Sequence, residues 1–246
     1  MKILIGYSVW NKVDMIAWLL SGIQEHCDPA KCDIAFHFDA CTDDSVAAYD
    51  ACMCYWLTIR GKWKMDQCHK LISPTEVREL GGHNRLLRLF MEGNYDMCLV
   101  AQDDQRFEAP IIAPLETLLD RYGDKLGIVG GRDAYGKGYN NWTGSRWSES
   151  PVTRRVCHGE FVELPYMNSG PVVYTRKVVE QVGYLDEEFR AYYAWDDYGQ
   201  RAINAGFKNG VMGMDVTHAK FGRMKATEWC DWSSRDLARR QAKHGW

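Results

Sequence analysis

The first part of the chain alternates short apolar runs with segments whose apolar residues recur at helical spacing. Residues 2–9 are apolar and rich in β-branched types, which predicts a buried strand. Apolar residues recur every three or four positions over 12–26, which predicts a helix with Asn11 as its N-terminal cap. Residues 33–39 then have the pattern of a second strand, and this strand ends in an acid.

The same alternation continues to the middle of the chain. Thr42 is predicted to cap a helix over 43–56, and a further helix is predicted over 75–92, weakened by two consecutive glycines. A short apolar run at 96–101 predicts a central strand that stops at an acidic turn. Because strands alternate with helices, we expect an α/β sheet that is parallel at least through its first half.

The second half of the chain has a different pattern. Residues 132–155 are rich in Gly, Ser, Asn and Trp and show no periodicity, which predicts a long functional loop. Regular structure is predicted again after this loop, with strands over 159–165, 170–175 and 209–216 and helices over 194–205 and 226–244.

Composition places the chain among globular proteins. Of its 246 residues, 46% are hydrophobic and 26% are charged. No apolar run approaches the roughly 18–20 residues of a membrane-spanning helix, and the N-terminus does not resemble a signal peptide. The nine cysteines include no C-x-x-C pair, which favours reduced thiols over a disulfide framework or a zinc ribbon. We therefore expect a cytoplasmic protein without a membrane span.

Charge is unevenly distributed along the chain. The net charge is −3, yet the segment from His218 to the end has seven Lys and Arg residues against three acidic ones. Basic residues interleaved with Trp, here and in the loop at 132–155, suit a phosphate backbone and an extruded base. A solvated helix face is the alternative interpretation of this basic tail.

Acidic residues follow two of the predicted strands. Asp39 ends the second strand, and Asp103 and Asp104 follow the central strand. Because the carboxyl ends of parallel strands meet at one edge, where α/β sheets bind ligands, we expect these acids on one rim. There a carboxylate can bind a nucleoside, or hold a divalent cation against a departing diphosphate. Surface turns are the alternative for the Asp103 pair, and a helix cap is the alternative for Asp43 and its neighbours.

Two further features carry candidate chemistry. A hydroxyl that acts as a nucleophile needs a general base, and Asp196 or Asp197 could supply one; the alternative is that the two acids face a helix dipole. His218 ends the last predicted strand, as a metal ligand or as a hydrogen-bonded structural residue. A near match to a phosphate-binding loop ends at Gly138, where the hydroxyl residue of that motif is missing.

In their order along the chain, these segments resemble the GT-A glycosyltransferases, and in particular glycosyltransferase family 2. The resemblance covers roughly residues 2–218 and is most specific in the stretch MNSGPVVYTRKVVEQVGYLDEEFRAYYAWDDYGQRAINAGFKNGVMGMDVTH. It implies a GT-A fold, with a mixed, mostly parallel sheet flanked by helices. It also implies a catalytic domain over 1–218, with a nucleotide-sugar half at 1–105 and an acceptor half at 106–218, before a basic helical tail at 219–246.

The resemblance also implies roles for single residues. Asp104 falls on the second acid of the D-x-D metal motif and His218 on the metal-binding His, whereas Gln102 replaces the first acid. The acid pair Asp196 and Asp197, shifted toward the following Arg, falls on the general base. The implied donor-binding residues are Ser8, Asp39, Asp43, Asn84, Asp103 and Gly170, and those implied for the acceptor or a lid are Trp142, Trp147 and Trp195.

The leading hypothesis is therefore a metal-dependent, inverting glycosyltransferase. It would use Mn²⁺ or Mg²⁺ and a nucleotide-sugar, with a UDP-sugar favoured as donor. The acceptor hydroxyl would belong to a glycan, a lipid or a protein, or to a hydroxylated base in DNA reached through the basic loop and tail. The alternatives are a non-catalytic sugar- or nucleotide-binding relative, and a nucleotidyltransferase, although the basic Gly-rich loop of the latter is missing after the first strand.

Overall fold

The computed structural model of the chain describes residues 1–60, 62–133, 156–165, 170–190, 193–219 and 226–245. The strands are β1 Ile3–Val9, β2 Cys32–Asp39, β3 Cys68–Ser73, β4 Met97–Gln102, β5 Gln105–Phe107, β6 Leu126–Asp133, β7 Phe161–Glu163, β8 Val172–Thr175, β9 Lys208–Met214 and β10 Val216–His218. The helices are α1 Val13–His26, α2 Ser45–Tyr55, α3 Arg78–Glu92, α4 Ile112–Tyr122, α5 Arg176–Val182, α6 Tyr193–Asn204 and α7 Ala226–His244.

Eight of the strands form one sheet in the order β3-β2-β1-β4-β8-β6-β9-β7. β1 pairs in parallel with β2 and β4, β2 with β3, and β6 with β9. β8 runs antiparallel to β4 and β6, and β7 runs antiparallel to β9. The sheet is therefore mixed and mostly parallel, as the sequence predicts. β5 and β10 form a separate two-stranded antiparallel ribbon.

Both faces of the sheet are covered by helices. Successive side chains of a strand point to opposite faces, so Ile3, Ile5 and Tyr7 of β1 pack in one core with α1, α2 and α4. Leu4 packs in the opposite core with α3, α5 and α6. This three-layer arrangement explains why the central strands are apolar along their whole length rather than alternating. Within the described ranges, no helix combines the length and apolar character that a membrane span needs.

The two glycines of α3 do not break the helix. A Cβ added at Gly82 would lie 2.1 Å from Ser8 Oγ and 3.0 Å from His37 Nδ1, so the missing side chain lets α3 lie directly against β1 and β2. The low intrinsic helix propensity of glycine is thus offset by close packing of helix on sheet. As a result, the N-terminal turn of α3 lies at the carboxyl edge of the sheet.

The expected helix caps were wrong. α1 and α2 are preceded by Lys12 and Asp44, and neither side chain caps its helix. Asn11 has a positive φ of 51°, and its Oδ1 accepts from the backbone N–H groups of Thr42 and Asp43 at 2.8 and 3.3 Å. Instead of capping α1, Asn11 therefore joins the loop after β1 to the loop after β2.

Candidate active site

The carboxyl ends of β1, β2, β3 and β4 meet at one edge of the sheet, which we call the donor edge. Ser8 of β1 is in register with Gln102 of β4, and Asp39 of β2 is in register with Ser73 of β3. The turn that contains Asp103 and Asp104 follows β4 directly. Two acidic segments that are far apart in sequence therefore lie along the same edge.

Asp104 and His218 contact each other at this edge. The β5–β10 ribbon places His218 opposite Gln105, and Ala219 N–H donates to the carbonyl of Asp104 at 2.8 Å. His218 Nε2 lies 3.1 Å from Asp104 Oδ1, and both side chains are half-buried. The ribbon thus brings together the two residues for which metal binding was expected.

This pair fits a divalent cation. A carboxylate oxygen suits Mn²⁺ and Mg²⁺, and an imidazole nitrogen is a ligand of first-row transition metals, so Asp104 and His218 could hold a divalent transition-metal ion. In the part of the chain that the structure describes, no group of three or more His, Cys, Asp or Glu side chains could hold a metal. Within those described residues, Asp104 and His218 are the pair that could hold a cation.

Asp103 connects the turn after β4 to the loop after β1. Its Oδ2 accepts from Trp10 N–H at 3.0 Å, and its Oδ1 lies 3.4 Å from the ammonium of Lys12, which is itself buried. Burial raises the pKa of Asp103, and the Lys12 charge and the Trp10 N–H partly oppose this effect. The carboxylate thus holds the two loops of the donor edge together.

Asp39 and Asp43 bind backbone groups at helix N-termini. Asp39 is only 4% exposed, and its two oxygens accept from the N–H groups of Val77 and Arg78 at 2.7 and 2.8 Å, at the start of α3. Asp43 Oδ1 accepts from Ser45 N–H at 3.0 Å, at the start of α2. These contacts are those of helix caps, the alternative that the sequence left open for Asp43.

Ser8 begins a hydrogen-bonded row across the ends of three strands. Its Oγ lies 3.2 Å from His37 Nδ1, and His37 Nε2 lies 2.7 Å from Ser73 Oγ. Burial lowers the pKa of His37 to about 4, so its imidazole is neutral at pH 7. Ser8 therefore has a protein partner at the donor edge.

Gly170 and Asn84 have different surroundings. A Cβ at Gly170 would lie 2.9 Å from Gln105 Oε1 and 3.0 Å from Gln102 Cγ, so the glycine lies tightly against the end of β4. Asn84 is buried, and its amide donates to Leu185 O and accepts from Leu185 N–H, both at 2.9 Å. Asn84 thereby attaches α3 to the segment before α6, a structural role rather than a donor contact.

Asp197 of α6 is fully buried in a cluster of cations. Its Oδ2 accepts from Arg201 Nε at 2.9 Å, and its Oδ1 lies 2.7 Å from Lys243 Nζ and 2.9 Å from His244 Nε2. Burial alone would raise the pKa of Asp197, but the contacts with Lys243, Arg201 and His244 lower it below its ordinary value. A carboxylate with a lowered pKa is a poor proton acceptor.

Asp196 is also closed off, being 2% exposed, with Oδ2 3.9 Å from Nε of the buried Arg240. Asp186 accepts from Arg239 at 2.9 Å and from Lys243 at 3.1 Å. The last turns of α7 are therefore anchored on acids of α6 and of the preceding segment. Both acids of the pair are buried in this arrangement, and these tail cations contact acids of the same chain.

The lid residues expected from the sequence fall into two groups. Trp195 is 1% exposed, its Nε1 donates to Tyr174 Oη at 3.1 Å, and its ring packs edge-on against His83. This core position does not suit a lid, because a lid has to be free to move over its ligand, and a contact of Trp195 with the acceptor stays a prediction. Trp142 and Trp147 lie outside the described residues.

Two residues at the donor edge were missed from the sequence. Trp10 follows β1 directly, and its side chain is 47% exposed. Glu79 is half-buried in the first turn of α3, where its Oε1 accepts from Gln102 Nε2 at 2.9 Å. Burial raises the pKa of Glu79 to about 7; the hydrogen bond from Gln102 lowers it, and the charges of Asp103 and Asp104 raise it further.

No protein-family model matches the chain, and no curated protein matches its sequence significantly. Among solved structures, it is similar to S. aureus TarS, at 14% identity over 87% of this chain and 35% of that chain, with a TM-score of 0.61. It is also similar to the mannosyltransferase PcManGT from Pyrobaculum calidifontis in complex with GDP-Man and Mn²⁺, at 12% identity over 98% of this chain and 63% of that one, with a TM-score of 0.65.

A third similar structure is GalNAc-T7 with UDP, GalNAc and Mn²⁺, at 9% identity over 89% of this chain and 44% of that chain, with a TM-score of 0.65. A form of TarS was also solved in complex with UDP-GlcNAc. The chain thus spans about a third to less than two thirds of the length of these proteins. At such identities the likeness shows the fold, which is the GT-A fold expected from the sequence.

Proposed function

We propose that this chain, which has the GT-A fold, is a metal-dependent glycosyltransferase that moves a sugar from a nucleotide-sugar onto an acceptor hydroxyl. The observation that supports this proposal best is the contact of Asp104 with His218, 3.1 Å apart, at the edge where β1, β2 and β4 end. Ligands of open α/β sheets bind at this kind of edge. The nucleotide-sugar and nucleotide complexes of similar folds support the same donor class.

The chemistry of the transfer explains why two metal-binding side chains are needed at the donor edge. The bond between the anomeric carbon and the diphosphate breaks, and negative charge develops on the leaving oxygen. Asp104 and His218 would hold Mn²⁺ between the turn after β4 and β10, facing the donor edge. A bound Mn²⁺ ion supplies a Lewis acid that neutralises the departing diphosphate. The ribbon pairing fixes both ligands before the donor arrives, so little reorganisation accompanies binding.

Other residues of the donor edge suit the nucleoside. The exposed ring of Trp10 offers an aromatic face on which a base can stack. Asp39 and Asp103 act by holding the N-terminus of α3 and the loop after β1 in place. Each carboxylate oxygen can accept more than one hydrogen bond, so both acids can also receive a ribose hydroxyl.

We further propose that the transfer is a single displacement with inversion at the anomeric carbon, and that the donor is a UDP-sugar. Such a displacement needs a stabilised leaving group and one base, and it forms no covalent enzyme intermediate. The acceptor class is a glycan, lipid or protein hydroxyl. A DNA acceptor gains no support, because Arg239, Arg240 and Lys243 are engaged with acids of the same chain.

A donor screen tests the function. The purified chain is incubated with Mn²⁺ and UDP-, GDP- and dTDP-sugars, and release of the nucleoside diphosphate is measured together with the melting temperature. At least one donor should raise the melting temperature and release its diphosphate, and Asp104→Asn should abolish the release. Asp120→Asn, in an exposed acid of α4, is the matched control and should behave as wild type. Release by Asp104→Asn at the wild-type rate would contradict the proposed site.

A further inference from the structure

We infer that Glu79 is the general base of this reaction, the group that takes the proton from the acceptor hydroxyl. This inference rests on the proposed function and adds a catalytic residue to the same site. It assigns to a residue of α3 the role of general base, which was expected for Asp196 or Asp197 of α6.

The position of Glu79 links it to the metal pair. Its Oε1 accepts from Gln102 Nε2 at 2.9 Å, and Gln102 N–H donates to Gln105 Oε1 at 3.0 Å. Gln105 in turn is paired with His218 in the β5–β10 ribbon. Two hydrogen bonds and one strand pairing therefore connect Glu79 to His218, and they fix its carboxylate relative to the proposed metal ligand.

The other acids of this region are occupied by protein groups. Asp39 accepts two backbone N–H groups, and Asp103 is paired with Lys12. Asp196 and Asp197 lie buried beneath α7 and beside its cations. Glu79 is half-buried, whereas Asp39, Asp196 and Asp197 are buried, and unlike the half-buried Asp103 its described hydrogen bond comes from a neutral amide rather than from a cation.

The surroundings of Glu79 suit proton transfer near neutral pH. A base works best when its pKa lies near the operating pH, and burial raises the pKa of Glu79 to about 7. Asp103 and Asp104 face it from the turn after β4, and both favour its protonated form. His83, one turn further along α3, stays neutral because burial lowers its pKa to about 3, and burial raises the pKa of Tyr174 of β8 well above its ordinary value.

The reaction balances with Glu79 in this role. The acceptor oxygen forms a bond to the anomeric carbon, and the bond from that carbon to the diphosphate oxygen breaks with its electron pair going to the diphosphate. The proton of the acceptor hydroxyl passes to Glu79 Oε2, while Oε1 keeps its hydrogen bond from Gln102. The protonated acid then returns its proton to water.

The test compares Glu79→Gln with Glu79→Asp in the full chain with Mn²⁺ and the donor found in the screen. Glu79→Gln keeps an oxygen for Gln102 but cannot take a proton, so kcat should fall about 10²- to 10⁴-fold with donor KM and melting temperature nearly unchanged. Glu79→Asp should recover part of kcat. Wild-type kcat should rise with pH through the pKa of Glu79, and Glu79→Gln should lack this rise. Glu76→Gln, in an exposed glutamate of the segment just before α3, is the matched control.

The outcomes separate the two proposals. If wild type turns over donor and Glu79→Gln keeps its kcat within threefold, Glu79 is not the base, while the glycosyltransferase function stands. If Glu79→Gln loses donor binding and stability together, the residue supports the structure and the inference is overturned. If wild type binds and turns over no donor, the proposed function fails, and the role of Glu79 fails with it.

Discussion

Lys243 Nζ lies 2.7 Å from Asp197 Oδ1, so the last turn of α7 neutralises an acid that α6 buries completely. The same lysine reaches Asp186 in the segment before α6. One cation of the tail therefore ties two acids to α7. These contacts form a structural cluster at α6 that does not include Asp104 and Glu79 of the donor edge. Predictions about stability and predictions about activity can therefore be tested on different residues.

Replacement of Asp197 should affect stability more than catalysis. Asp197→Asn removes the buried counter-charge of Arg201 and Lys243, and breaking a buried ion pair on one side costs about 3–5 kcal/mol. Because Lys243 is about a third exposed, we expect a loss of about 2–3 kcal/mol in the free energy of unfolding, measured by urea denaturation. Asp120→Asn is the control. A variant of wild-type stability whose kcat has collapsed would identify Asp197 as the base after all.

Stability should also fall in acid. Contacts with Arg239, Glu188 N–H and Lys243 outweigh burial and lower the pKa of Asp186 to about 2. A lowered folded-state pKa means that the charged form stabilises the fold above the unfolded value near 3.8, and that this contribution is lost as pH falls toward 2. With solvent screening, the loss is about 1 kcal/mol. Unfolding measured from pH 6 to 2 should be less steep for Asp186→Asn; identical curves would show that the pair contributes nothing.

The sequence predicted best the elements whose apolar residues follow a simple pattern. Residues 12–26 and 96–101 were predicted as a helix and a strand, and α1 and β4 match them to within one residue at each end. β3 was missed because this edge strand is half-buried and mixes polar with apolar residues. β6 was missed because its apolar run leads into Gly130 and Gly131, and two consecutive glycines usually indicate a turn.

The candidate site also has features that the sequence could predict and features that it could not. The contact of Asp104 with His218 agrees with the order of the motifs along the chain, since both residues follow strands that end at the same edge. The burial of Asp196 depends on the docking of α7, a tertiary event that no local pattern contains. The sequence did not indicate a role for Glu79, because its hydrogen-bond partner Gln102 lies on a different element.

A methyl group at Gly82 should disturb the donor edge. Gly82→Ala raises helix propensity by about 1 kcal/mol, but its Cβ would lie 2.1 Å from Ser8 Oγ and 2.9 Å from Ser8 Cβ. Overpacking of this kind typically costs about 1–3 kcal/mol, so we expect the variant to be less stable than wild type. Combining it with Ser8→Ala, which removes the nearer atom, should recover part of the loss. A Gly82→Ala protein more stable than wild type would show that α3 can shift away from β1.

Restoring a second carboxylate should strengthen metal binding at the donor edge. The resemblance to glycosyltransferase family 2 implies that Gln102 takes the place of the first acid of the D-x-D motif, so Gln102→Asp would add an oxygen ligand beside Asp104 and His218. We expect the affinity for Mn²⁺, measured by electron paramagnetic resonance with a nucleoside diphosphate present, to rise about tenfold. The same change removes the amide that donates to Glu79, so kcat should fall even as Mn²⁺ binds more tightly. Gln181→Asp, at an exposed position of α5, controls for the added charge. If Gln102→Asp leaves Mn²⁺ affinity unchanged, the side chain at this position does not reach the cation.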